Sequence, residues 1–116
     1  MHIQFTHAED LHIDAGSQAR IEAEARSILG RFEGQVTAVV FHLNDQNAGR
    51  EGGDDKHCSC EARPTGHQPV AVRHSAGTVD EACNGAARKM QRKLDSLLGK
   101  RSDVKGGKSI RTAGEL

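Results

Sequence analysis

The sequence predicts an α+β domain, a four-stranded sheet with two helices packed on one face, in the order β-α-β-β-β-α. Three observations predict it. Four short segments are β-branched or apolar, three of them alternating apolar and polar side chains as a half-buried strand does. Two longer segments repeat their apolar residues at helical spacing. A Pro64-Thr65-Gly66 turn separates two of the alternating segments as the corner of a hairpin would.

The elements follow in chain order. Residues 1–7 set Ile3 and Phe5 against His2, Gln4 and Thr6, a first strand. Ser17, after Gly16, is the expected N-cap of a helix running to about Phe32, with Ile21, Ala25, Ile28, Leu29 and Phe32 on its apolar side. Glu33-Gly34 stops it. Residues 36–43 are β-branched and apolar enough for a well-buried strand, and 44–55 is a loop of Asn, Asp and Gly that includes Gly52-Gly53. Residues 56–63 place Cys58, Cys60 and Ala62 on one face and His57, Ser59, Glu61 and Arg63 on the other. Residues 68–75 return after the turn, with Val70 and Val72 inward.

The last helix is the clearest element. Thr78-Val79-Asp80-Glu81 has the form of a capping box, in which hydroxyl and carboxylate each satisfy an orphan backbone N–H. Behind it Val79, Ala82, Cys83, Ala86, Met90, Leu94, Leu97 and Leu98 form one apolar stripe ending near Gly99. Residues 102–116 are Gly-rich and basic without a core-forming pattern, so the expected organisation is one domain over 1–101 and a flexible basic tail over 102–116.

A chain of 116 residues fits a single domain. With 35% hydrophobic and 28% charged residues, 13 Gly and 2 Pro, it is neither collagen-like, disulfide-dense nor of low complexity. No apolar run reaches the roughly 18 residues of a membrane-spanning helix, and no signal segment opens the chain. Three cysteines cannot all pair with one another, which fits a reducing compartment; the expected setting is the cytoplasm. Sixteen basic residues balance sixteen acidic ones, yet the balance is uneven along the chain. Residues 1–55 carry four basic and ten acidic side chains, a net −6; residues 56–116 carry twelve and six, a net +6. Such asymmetry points to a nucleic acid, a membrane surface or an acidic partner, against the plainer reading of a solubilising charged face.

Turning the last helix by about 100° per residue separates its polar residues. Arg88, Lys89, Arg92, Lys93 and Lys100 fall along one flank and the outer edge; Asp80, Asn84, Gln91 and Asp95 take the other. Arg88/Arg92 and Lys89/Lys93 are like-charge i,i+4 pairs, costing a few tenths of a kcal/mol each, where a merely solvated helix would intersperse signs. A row of cations of this kind suits a row of phosphates. The only aromatic residues are Phe5, Phe32 and Phe41, all at core positions, so stacking on single-stranded bases is not the expected mode; folded RNA read by backbone and shape fits better.

Other signals are weaker. Cys58-Ser59-Cys60 with nearby histidines invites a metal reading, but a Cys-x-Cys pair at strand period points both thiols into the core. Cys83 lies on the apolar stripe, and packing is its expected role. His57, His67 and His74 are read as strand and turn surface residues. Gly52-Gly53 lacks the Lys-Ser/Thr of a phosphate loop. No catalytic set, metal site or cofactor is expected, and no small-molecule substrate.

The segments His42-Leu43-Asn44-Asp45-Gln46-Asn47, Asp55-Lys56-His57-Cys58, Cys60-Glu61-Ala62-Arg63, Gly66-His67-Gln68-Pro69-Val70-Ala71-Val72 and the helix over 82–98 carry a resemblance. In that order they resemble the ribosome hibernation promoting factors, also called ribosome-associated inhibitors or sigma-54 modulation proteins, over about residues 1–101. The resemblance implies a non-enzymatic factor of bacterial or plastid type. It would bind the rRNA of the small ribosomal subunit, occlude the tRNA/mRNA channel and idle translation under stress or in stationary phase, as a monomer off the ribosome. Lys89 and Arg92 match basic positions of the family's last helix, Arg26 and Arg31 those of its first, and Lys56 the Lys leading its third strand. Arg88, Lys93, Lys100 and Arg101 complete the expected RNA-binding set on placement and charge. The first helix also carries Glu22 and Glu24, a departure from a purely basic surface. Long members have a second, dimer-forming domain; this sequence stops at Leu116, so a short form is expected, which does not pair two ribosomes by that route. The alternatives are a protein–protein adaptor of the sigma-factor modulator type using the acidic first half, and a metal or redox domain using Cys58 and Cys60.

Overall fold

The computed structural model describes residues 1–8, 11–45 and 56–99. Its elements are β1 (His2–His7), α1 (Ala15–Leu29) with a 3-10 turn (Gly30–Phe32), β2 (Val36–Asp45), β3 (Lys56–Pro64), β4 (Val70–Ala76) and α2 (Val79–Leu94), which runs on into a π-helical turn (Asp95–Gly99). This is the predicted α+β order. The expected tail over 102–116 and most of the 44–55 loop lie outside the described residues; Asn44 and Asp45 belong to β2 instead, paired with His57 and Lys56 of β3.

The four strands are neighbours in sequence order. The β1–β2 pair is parallel, because α1 carries the chain back to the starting edge; β2–β3 and β3–β4 are antiparallel. Gly66 (φ 80°) takes the left-handed conformation that closes the β3–β4 turn without a Cβ penalty. The period of two assigns the faces. Ile3, Val39, Phe41, Leu43, Cys58, Cys60 and Ala62 are buried beneath the helices. The opposite face, free of helices, presents Thr6, His42, Ser59, Arg73 and their neighbours. Phe5 and Phe41, opposed across β1 and β2, stack with ring centroids 4.7 Å apart and planes 9° from parallel.

The start of α1 differs from expectation. Asp14, not Ser17, is the N-cap: its carboxylate accepts from the Ser17 backbone N–H at 2.7 Å, which also holds the Asp14 carboxyl below the ordinary range. Both residue types cap well, and the one three positions earlier adds a turn of helix. On α2, Thr78 Oγ1 accepts from the Glu81 N–H at 3.1 Å, the first half of the expected capping box.

The apolar stripe of α2 is made largely of small residues, with Ala82, Cys83, Ala86 and Ala87 buried beside Met90 and Leu94. They let the helix sit close to the sheet. A Cβ added at Gly85 would fall 2.0 Å from Cδ2 and 2.5 Å from Cγ of His74 on β4, so the imidazole occupies the space a side chain would need. Cys58, Cys60 and Cys83 are free thiols, all buried, and Cys58 donates to the Ser59 carbonyl at 3.7 Å. Burial pushes the Cys60 thiol up to about 12; the neighbouring Cys58 thiol, then burial, raises that of Cys83.

Two outcomes follow from this packing. Gly85→Ala forces the His74 ring to rotate or α2 to lift, so a loss of about 1–3 kcal/mol is expected from urea denaturation, with part of it recovered in the double variant Gly85→Ala/His74→Ala. The three thiols, all covered, should be inert to a thiol-modifying reagent at pH 8 in native protein and all react in denaturant; fast native labelling of Cys60 would contradict the burial described.

Candidate nucleic-acid interface

With its stripe buried, α2 turns Arg88, Lys89, Arg92 and Lys93 to solvent on a rigid, capped scaffold. Arg88 Nε donates to Asn84 Oδ1 one turn back, at 2.9 Å. Lys89 reaches over the edge of the sheet, where its ammonium donates to the Arg73 carbonyl of β4 at 2.8 Å. Arg92 and Lys93 have no side-chain partner among the described residues. They lie in the last turn of α2, where the negative end of the helix dipole favours cations; that accounts for a positive charge there, not for four on one flank.

The opposite flank of α2 faces α1. Asp80 Oδ2 accepts from Arg20 Nη2 at 2.7 Å and Nε at 3.1 Å, Asp95 pairs with Arg31, and Gln91 Nε2 donates to the Ile28 carbonyl at 3.0 Å. The Asp80 carboxylate raises the Arg20 pKa further. The acidic flank read from the sequence is therefore a seam to the other helix.

The structure separates the expected RNA-binding residues into three sets. Arg88, Lys89, Arg92 and Lys93 stand together. Arg26 and Arg31 are exposed but engaged: Arg26 pairs with Glu22 at 3.6 Å within α1, and Arg31 combines its bond to Asp95 with a position 5.0 Å above the Phe32 ring. Lys56 is bound to Asp45 at 3.3 Å at the start of β3, and the pair is largely covered. Lys100 and Arg101 lie outside the described residues.

Arg73 was absent from the expected set. It projects from the helix-free face of β4, and its guanidinium has no acidic partner among the described residues; it lines a groove of about 680 Å³ with Asn44, His57, Ser59, Ser75 and Lys89. The same alternation that put Cys58 and Cys60 inward puts His57 and Ser59 outward, so the signal was present, but the register that brings Arg73 opposite Ser59 belongs to the folded sheet. Cys58 and Cys60 lie in the core, and among the described residues no group of three or more His, Cys, Asp or Glu is placed to hold a metal ion.

No family model and no curated protein matches the chain. Solved structures do. The N-terminal domain of Protein Y from Thermus thermophilus superposes with a TM-score of 0.65 at 14% identity, covering 84% of this chain and 99% of that one. The chain has the Protein Y fold. A ribosomal subunit interface protein from Coxiella burnetii superposes equally well, with a TM-score of 0.66 at 12% identity over 85% of this chain and 99% of its own. Both neighbours agree with the family resemblance read from the sequence.

The pairing of α1 with α2 carries its own expectation. The Arg31–Asp95 bridge joins two side chains about half exposed, so Asp95→Asn should lower the unfolding free energy read from urea denaturation by less than about 1 kcal/mol while freeing the Arg31 charge.

Proposed function

We propose that this protein is a non-enzymatic ribosome-binding factor of the hibernation type. In this reading it binds small-subunit rRNA in the cytoplasm through the exposed flank of α2 and idles translation under stress by occupying the channel needed by tRNA and mRNA. One observation carries it: of the cations on the two helices, those on α1 are bound to acidic side chains, while Arg92 and Lys93, beside Arg88 and Lys89, are not. Desolvated phosphates would replace water at these positions without first breaking an ion pair, and counterion release supplies the affinity. The fold shared with a ribosomal subunit interface protein supports the choice of partner. The lack of an aromatic residue on the flank supports recognition of backbone and shape. The adaptor reading gains no specific support, since in the acidic first half Asp14 caps α1, Glu22 pairs with Arg26 and Asp45 with Lys56.

The test is co-sedimentation with purified small ribosomal subunits. Binding should weaken with salt at a log–log slope of about −3 to −4, the value for roughly four phosphate contacts. Lys89→Glu/Arg92→Glu should abolish it with an unchanged circular dichroism spectrum, whereas Arg26→Gln should weaken it less than Arg92→Gln. Undiminished sedimentation of the double variant would remove α2 from the interface.

A further inference from the structure

We propose that the helix-free face of the sheet holds a second phosphate site, in the groove where β2, β3 and β4 meet, and that an RNA backbone held on α2 crosses the edge of β4 to reach it. This rests on the RNA-binding reading above and extends it to a surface the helices do not form.

The groove is built from donors. On β3, His57 and Ser59 point outward; opposite them on β4 stand Ser75 and Arg73. His57 Nδ1 and Ser75 Oγ are hydrogen-bonded at 2.9 Å, which fixes both side chains across the strand pair. Asn44 closes the β2 side, and Lys89 closes the β4 side. The bond from Lys89 to the Arg73 carbonyl leaves two ammonium protons for another acceptor and holds the charge at the rim. None of the described residues lining the groove is acidic. Glu61, a carboxylate on the same face, is engaged by Arg63 at 3.6 Å. Two cations thus converge on one concavity with no counter-charge among the described residues that line it. Cys58 and His74, whose side chains face the helices, also contribute to the wall; Asn44, His57, Ser59, Arg73 and Ser75 project from the face away from the core, so core packing does not explain them.

A planar guanidinium, an ammonium and two hydroxyls around a concavity match the tetrahedral oxygens of a phosphate, with Arg73 able to donate in a forked pair. Among the described residues the groove contains no Phe, Tyr or Trp to stack a base, and the His57 ring is held by Ser75. Its occupant is therefore a backbone phosphate. Lys89 belongs to both surfaces, so the groove and the row Arg88, Arg92, Lys93 form one cationic path around the edge strand.

The experiment compares Arg73→Gln and Ser59→Asp with Arg92→Gln, using small ribosomal subunits as the probe over a potassium chloride series. Arg73→Gln should weaken binding about fivefold and reduce the salt slope by about 1, as loss of one phosphate contact does, with the urea midpoint unchanged. Ser59→Asp, which places a negative charge in the groove, should weaken it at least as much and stands in if Arg73→Gln alters folding. Weakening by Arg92→Gln alone, with both groove variants binding as wild type, would overturn the groove and leave the proposed function standing. Absence of wild-type binding at low salt would overturn the proposed function and the RNA occupant together. A titration with inorganic phosphate, followed by NMR at His57 and Arg73, separates the remaining case: saturable shifts there, with subunit binding indifferent to Arg73, would reassign the groove to a small free phosphate compound and overturn the RNA assignment.

Discussion

The close seating of α2 on β3 and β4 sets the position of nearly everything else. Gly85 gives up its side chain to the ring of His74, and Cys83 meets Cys58 at the same seam. A helix carrying larger residues at 82, 83, 86 and 87 would stand further from the sheet, and Lys89 would no longer reach the backbone of β4. Close packing also fixes rotation about the helix axis, since the stripe of small residues fits the sheet in one orientation only. Rotation in turn decides which charges face α1 and which face water.

That rotation divides the charge. A net charge of zero would suggest no preference for a polyanion. In the folded chain much of the negative charge on the helices is spent internally: Asp80 on Arg20, Asp95 on Arg31, Glu22 on Arg26. Each bridge is exposed and worth little to stability. Their combined effect is positional. They mask the cations along the α1–α2 seam and leave those on the far flank of α2 unmasked, so a neutral protein acquires one cationic surface.

Much of this was legible in the sequence because it depends on local period. The alternation at 56–63 put Cys58 and Cys60 in the core and His57 and Ser59 outside, and the stripe on α2 separated Arg88 and Arg92 from Asp80 and Asp95. What local period does not carry is the identity of partners distant in sequence. The bridge from Arg31 to Asp95 joins positions 64 residues apart, and nothing near either residue announces it. The grouping of Arg26 and Arg31 with the α2 cations read from the sequence therefore placed on one footing residues that the fold treats differently. Arg73 was overlooked for the same reason. Its place in the groove comes from lying opposite Ser59, a register closed by the turn at Gly66, with its carbonyl bound by Lys89. The N-cap of α1 was misplaced for a local reason: Asp14 and Ser17 both have capping side chains, and the Asp14 carboxylate makes Ser17 its donor.

Neutrality overall with cations on one surface has a consequence for selectivity. Long-range attraction to a polyanion scales with net charge and is screened within about 8 Å at physiological salt. A strongly basic protein of this size would gather on any nucleic acid it met, whereas a neutral one gains affinity only where its local cations meet phosphates at matching spacing. Spacing is held here by rigid parts: Arg88, Arg92 and Lys93 ride on a helix seated against the core, and Lys89 is tied to a strand. Flexible lysines would follow any polyanion; fixed ones match only one of the right shape. The ion pairs between α1 and α2, weak as stabilisers, thus confine the unmasked cations of the two helices to the far flank of α2.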